Sequence, residues 1–196
     1  MTVSTIDPNT ALVVIDLQKG IATAPTQPHP APEVVARTAQ LADAFRAKGL
    51  PVVLVRVSFA DDFADALKSR TEHAGGGATM SEGWDEVVDE LITGQEIIVT
   101  KRNWGAFHGT DLDVQLRRRG ITQIVLTGIA TSIGVESTAR SAYEHGYHVT
   151  LATDAMADLS EENHNHSITA IFPRLGETGT TAEILALLEK PTLVAG

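Results

Sequence analysis

The sequence predicts a single α/β domain, a doubly wound and mostly parallel sheet of about six strands with helices on both faces. Short β-branched runs alternate with segments of helical periodicity, the order expected of strand–helix–strand units. The runs are almost wholly apolar, as strands are when both faces of a sheet are covered. The length of 196 residues suits one domain with a full-sized core. No repeat, low-complexity stretch or internal linker interrupts it, so residues 1–196 are expected to form one unit.

Ala11–Asp16, ALVVID, is the first expected strand and ends on a carboxylate. Leu17–Gly20 turns away, and Pro25, Pro28, Pro30 and Pro32 mark an extended loop. Apolar positions from Glu33 to Lys48 recur at helical spacing, and Gly49 closes that helix. Pro51–Val57 is the second strand. Short helices are expected over Asp62–Ser69 and Trp84–Ile92, with Gly75-Gly76-Gly77 as an exposed loop tip between them. Glu96–Thr100 is the third strand. Thr110-Asp111-Leu112-Asp113 has the form of a capping box for a helix ending at Arg119 and Gly120.

The central stretch is Ile124–Tyr147. Ile124–Thr127 reads as a buried strand ended by Gly128. Ile129–Ser132 reads as a tight turn, and a helix follows from Ile133 to His145. Tyr147–Ala152 is the fifth strand, Ser160 caps a helix over Glu161–Phe172, and Gly176–Thr178 is a short last strand. Thr180-Thr181-Ala182-Glu183 is a second capping box, opening Glu183–Glu189.

Composition narrows the function. A net charge of −10 argues against nucleic acid and anionic membrane surfaces, since phosphate contacts need a basic face. No apolar run approaches the roughly 20 residues of a spanning helix. The opening MTVSTIDPNT lacks a basic start and an apolar block, so a cytoplasmic enzyme acting on a small molecule is expected. There is no cysteine, which excludes disulfides, thiolate metal sites and a cysteine nucleophile.

Polar residues gather at the expected strand ends: Asp16 after the first, Lys101 after the third, Thr131 and Ser132 after the fourth. In a doubly wound sheet these ends share one edge, where ligands bind and helix N-termini point. Taken singly, such an aspartate is often a cap and such a lysine solvated. Together they suggest a cleft with shifted pKa values.

These residues sit in motifs that resemble the isochorismatase-like hydrolases, or cysteine hydrolase superfamily. The motifs are ALVVIDLQKG at 11–20, VTKRNWGAFHGTDLDVQLRRRGI at 99–121, VLTGIATSIGVESTARSAYEHGY at 125–147, TDA at 153–155 and HNHSITAIFPRL at 164–175. The chain is also similar to uncharacterised bacterial hydrolases of that family. The resemblance implies catalytic roles for Asp16 and Lys101. It places Gly134 where the amidase branch carries its nucleophilic cysteine, so an acyl-enzyme cannot form by that route. True isochorismatases also lack the cysteine; they cleave a vinyl ether by protonation, and Asp16 would be that general acid, with a raised pKa, assisted by Lys101. The resemblance further places Gln18, Ser58, Trp104, Phe107, Ile129, Ala130, Thr131 and Ile133 around the substrate. It puts an unusual cis peptide at Ile129-Ala130, and backbone N–H groups near Ala130 and Gly134 as holders of anionic oxygens.

Nicotinamidases of the family bind a metal through Asp-x-His after the second strand. Here that place reads Val57-Ser58-Phe59-Ala60, so neither metal nor cofactor is expected. Asp61 and Asp62 follow, where family isochorismatases have Gln-Pro-Gly, and two acids would repel a dicarboxylate. Arg56, Arg70 and Arg102 are the candidate counter-charges. Trp104 and Phe107 are expected to wall the pocket, pack in the core or meet another subunit. His108 is read as structural, and His164 and His166, two apart on a helix, point to different faces. A homodimer or higher even homo-oligomer is implied by the resemblance. The rival to catalysis is a family member that binds a metabolite or serves as an assembly partner.

Overall fold

Alternate side chains of a strand leave on opposite faces, and the first strand, β1 (Thr10–Ile15), shows what that does here. Ala11, Val13 and Ile15 enter one buried cluster, while Leu12 and Val14 enter another. In this computed structural model, which describes residues 2–72 and 80–190, the chain continues through α1 (Lys19–Ala22), α2 (Ala31–Ala47), β2 (Val52–Val57), β3 (Ile97–Lys101) and α3 (Leu112–Arg118). Then come β4 (Gln123–Ile129), α4 (Glu136–Glu144), β5 (His148–Ala157), α5 (Glu161–His166), β6 (Glu177–Gly179) and α6 (Thr181–Glu189). The triple glycine lies outside the described residues.

The sheet order is β3-β2-β1-β4-β5-β6 and every neighbouring pair is parallel. Phe45 of α2 and Ile184 of α6 cover one face; Leu112 and Leu116 of α3 and Ala139 and Ala142 of α4 cover the other. The winding direction reverses between β1 and β4, and the carboxyl ends at such a reversal are where doubly wound sheets bind their ligands. No described helix is long and apolar enough to cross a membrane.

Several expected elements differ. Asp62–Ser69 forms turns, because the Asp62 and Asp65 carboxylates accept the Ala64 and Ala60 N–H groups at 3.0 and 2.8 Å and compete with helical pairing. Trp84–Ile92 keeps only a 3-10 turn at Asp89–Leu91. Its backbone serves the 17–20 segment instead, with Trp84 and Glu86 carbonyls accepting from Gly20 and Lys19 at 2.8 Å each. The expected box at Thr110 does not form; its hydroxyl accepts from Leu112 N–H at 3.1 Å, while the Thr180–Glu183 box is complete. The helix expected over 161–172 stays α-helical only to His166, then widens into a π turn (Ser167–Ile171) and tightens around Pro173.

Gly128 does not end β4; it lies inside it, at φ +127°. A Cβ there would stand 2.0 Å from the Ile15 carbonyl oxygen, so the glycine lets β4 press onto the end of β1. The β4–β5 register slips between Leu126 and Gly128, which is why β5 runs on to Ala157. Gly128→Ala should therefore cost about 3 kcal/mol or more in urea unfolding, whereas Gly146→Ala, whose Cβ meets open space, should cost about 1 kcal/mol. Equal costs at the two positions would contradict the close approach.

Candidate active site

The end of β1 turns sharply because Asp16 takes the left-handed conformation, φ +54°, rare for a residue with a side chain. The turn delivers its carboxyl under the end of β3. There Lys101 Nζ lies 2.8 Å from Asp16 Oδ2 and donates to the Asn103 carbonyl at 2.9 Å. The two side chains are only 7% and 3% exposed. Asp16 Oδ1 is buried and has no hydrogen-bond partner in the protein. Burial pushes the carboxyl from an ordinary 3.8 up to about 6, while the charge and hydrogen bond of Lys101 pull the other way. The result is an acid with one oxygen held and the other free.

Gly134 faces this pair. A Cβ on it would lie 3.1 Å from Asp16 Oδ2, 3.5 Å from the Trp104 carbonyl and 2.9 Å from the Ile15 Cγ2 methyl. A side chain at this position would thus stand beside the Asp16 carboxyl, and an Ile15 methyl crowds it. The turn that carries Gly134 begins earlier than expected, as a π turn over Thr131–Val135 running into α4. The Ile129–Ala130 peptide before it is cis, where the sequence motif placed it.

The other expected residues divide. Ser58 stands next to the pair, its N–H donating to the Lys101 carbonyl at 3.2 Å. Trp104 flanks Gly134 through its backbone while its side chain is 61% exposed. Ala130 and Ile133 are half-buried in the turn. Gln18 is fully buried; its amide spans the Val57 N–H and carbonyl at 2.9 and 3.1 Å and the Trp84 carbonyl at 3.3 Å. It splices three segments behind the site. Phe107 does not join them: its ring packs on His145 and Tyr147 at 5.0 and 5.8 Å, in the core beneath α3 and α4. Ile129 is core on the opposite face.

Thr131 is buried, with its hydroxyl 2.8 Å from His164 Nδ1. Burial holds His164 down at about 4, and His29 adds to this against the pull of Asp158. The imidazole is neutral near pH 7. Among the described residues no group of three or more acidic or histidine side chains stands together to hold a metal.

Sequence reasoning missed Asp158, 1% exposed at the end of β5. Its Oδ2 accepts the Ser132 N–H at 2.7 Å, while the Ala130 carbonyl takes the Ile133 and Val135 N–H groups at 3.3 and 3.2 Å. The N–H groups of Ser132, Ile133 and Val135 in this turn are therefore satisfied from within, a carboxylate of the chain itself filling the positive helix start. Its strand-end position, like that of Asp16, was the available signal; the longer β5 hid it.

The raised Asp16 pKa has a stability consequence. The folded state holds the proton more tightly than the unfolded chain, so Asp16 stabilises the fold most below its unfolded value of 3.8. That contribution is lost as pH rises through about 6. Relative to Asp16→Asn, wild type should lose about 3 kcal/mol between about pH 4 and pH 7 in urea unfolding. A constant difference across that range would mean an ordinary carboxyl.

A family model described as the isochorismatase domain matches residues 10–183. The chain is 50% identical over 180 residues to the uncharacterized isochorismatase family protein YecD of Escherichia coli O157:H7, covering 91% of this chain and 96% of that one. It is 49% identical to the uncharacterized isochorismatase family protein YwoC of Bacillus subtilis, over 90% of this chain and 92% of the relative. The solved structure of an isochorismatase family protein from Burkholderia thailandensis superposes with a TM-score of 0.92 at 50% identity, covering 95% of this chain and 98% of that chain. With the domain matched from the first strand into the last helix, the chain belongs to the isochorismatase family and is a hydrolase.

Proposed function

We propose that the protein hydrolyses a small acid-labile substrate of the vinyl-ether type, with Asp16 as general acid and no covalent intermediate. The observation that carries this reading is the divided state of the Asp16 carboxyl. Oδ2 is held by Lys101, and Oδ1 is buried without a partner on a group whose pKa is about 6. A proton on Oδ1 meets no competing acceptor from the protein, and at pH 7 about a tenth of molecules carry it.

In this scheme the Oδ1 proton adds to the terminal vinyl carbon, and the ether oxygen shares the resulting positive charge. Ionised Asp16, beside that cation, stabilises it by charge. Water then adds to the carbon bearing the oxygen and returns a proton to Asp16. The hemiketal collapses to a carbonyl compound and an alcohol. Lys101 keeps Oδ2 fixed and prevents the carboxyl from turning its free oxygen away. Gly134 fits the same scheme, since nucleophilic attack by the protein is not required. The family resemblance adds the expectation of a cytoplasmic homo-oligomer.

A set of small vinyl ethers, neutral, cationic and anionic (isochorismate among the last), represents the class, with release of the carbonyl product as the readout. Asp16→Asn should lower turnover about a thousandfold while the protein stays folded. In wild type, kcat/KM should be level below about pH 6 and fall about tenfold per pH unit above it, because the proton-bearing form is lost. An active Asn variant, or a rate that rises through pH 6, would contradict the acid role. Binding without turnover across a set of vinyl ethers would favour the metabolite-binding rival.

A further inference from the structure

Lys101, Arg56, Arg102 and the helix start at Ser132 are each matched by a carboxylate or carbonyl of the chain itself. Lys101 is held by Asp16 and Asn103. Arg56 Nη1 lies 3.3 Å from Asp85 Oδ2, and Arg102 Nε lies 2.7 Å from Asp65 Oδ2. The helix start at Ser132 is taken by Asp158. A substrate carboxylate thus finds no ready receptor among these four, and a dicarboxylate binding to them would have to break two of the pairs.

Next to the pair lies surface of the opposite character. One residue beyond Ser58 begins a cleft of about 630 Å³, lined among others by Phe59, Phe63 and Trp84. The Phe59 and Trp84 rings stack at 6.2 Å with 18° between their planes, and Phe63 leans on Phe59 at 5.8 Å. Asp61, Glu82 and Asp85 also line it, and among the described residues no lysine or arginine does. Of the three acids only Asp85 has an ion-pair partner among the described residues. The cleft is tied to the catalytic end of β1 through Gln18, whose amide reaches the Trp84 carbonyl, and through Gly20 N–H, which donates to the same oxygen at 2.8 Å.

We infer that this cleft is a binding site for an organic cation, the protonated or quaternary ammonium part of the substrate whose reacting group lies at Asp16. The substrate assignment rests on the acid-catalysed reading above; the cation site rests on the cleft itself. Aromatic faces attract a cation through their negative quadrupole, and unpaired carboxylates at the rim add charge complementarity while repelling anions. The same acids would repel a dicarboxylate that approached through this cleft.

The test is a binding measurement, independent of turnover. Benzyltrimethylammonium is titrated into the full chain and the indole N–H signals of Trp84 and Trp104 are followed by NMR, with benzoate as the anion of similar size. Saturable movement of the Trp84 signal is expected with the cation and none with benzoate. Affinity should fall about fivefold or more in the Asp61→Asn/Glu82→Gln double variant, whose altered residues are exposed, and should weaken with added salt. Equal binding of benzoate, undiminished affinity in the double variant, or movement confined to Trp104 would overturn the proposal. So would a Trp84 signal that moves with protein concentration alone, which would make the cleft an interface between two copies. Cation binding with no vinyl-ether turnover would leave the site standing and defeat the acid mechanism; turnover without cation binding would do the reverse.

Discussion

Taking a carboxyl out of water beside one lysine creates two opposed pulls, and the rest of the site follows from their imbalance. Desolvation favours the protonated form of Asp16, and Lys101 at 2.8 Å favours the charged form. Burial wins by enough to leave the group titrating near neutrality. That outcome needs the pair to be shielded from bulk water, and the sheet supplies much of the shielding. β1 and β3 bring the two side chains in from strands separated only by β2, while the glycine in β4 lets the next strand close over Ile15. A looser sheet would admit water and return Asp16 to an ordinary acid.

The missing nucleophile fits this view of the site. Where the family resemblance implies a thiol in amidases, this chain has Gly134, and an Ile15 methyl crowds the place its Cβ would take. On the proposed reading the chemistry of the site is proton transfer from Asp16 to the substrate. Around it the chain neutralises its own positive features one by one, Asp158 at the helix start being the least expected. The effect is an environment that concentrates proton-donating power while offering anions little, consistent with a molecule of net charge −10.

Much of this could be read from the residues. The apolar runs gave the strands because a two-sided buried sheet leaves little room for polar interruption, and Asp16 and Lys101 stood out as charges at strand ends. What could not be read were features set by tertiary pairing. Gly128 reads as a strand stop, and only the approach of the Ile15 backbone reveals it as an interior residue of β4. Trp84–Ile92 has a helix-like pattern, yet its carbonyls and N–H groups are taken by the segment after β1. Phe107 follows Lys101 closely in sequence, but the intervening turn sends its ring into the core with Tyr147. Asp158 escaped notice because the register slip that lengthens β5 has no local sequence cue.

The central claim is that Asp16 is a buried acid that holds its proton to near-neutral pH. It is tested most directly by following the Asp16 carboxyl carbon by ¹³C NMR across a pH titration of the folded protein. The account predicts a single transition centred near pH 6, moving upward in Lys101→Met as the opposing charge is removed. A transition at an ordinary carboxylate value, or one that moves downward when Lys101 is replaced, would contradict it.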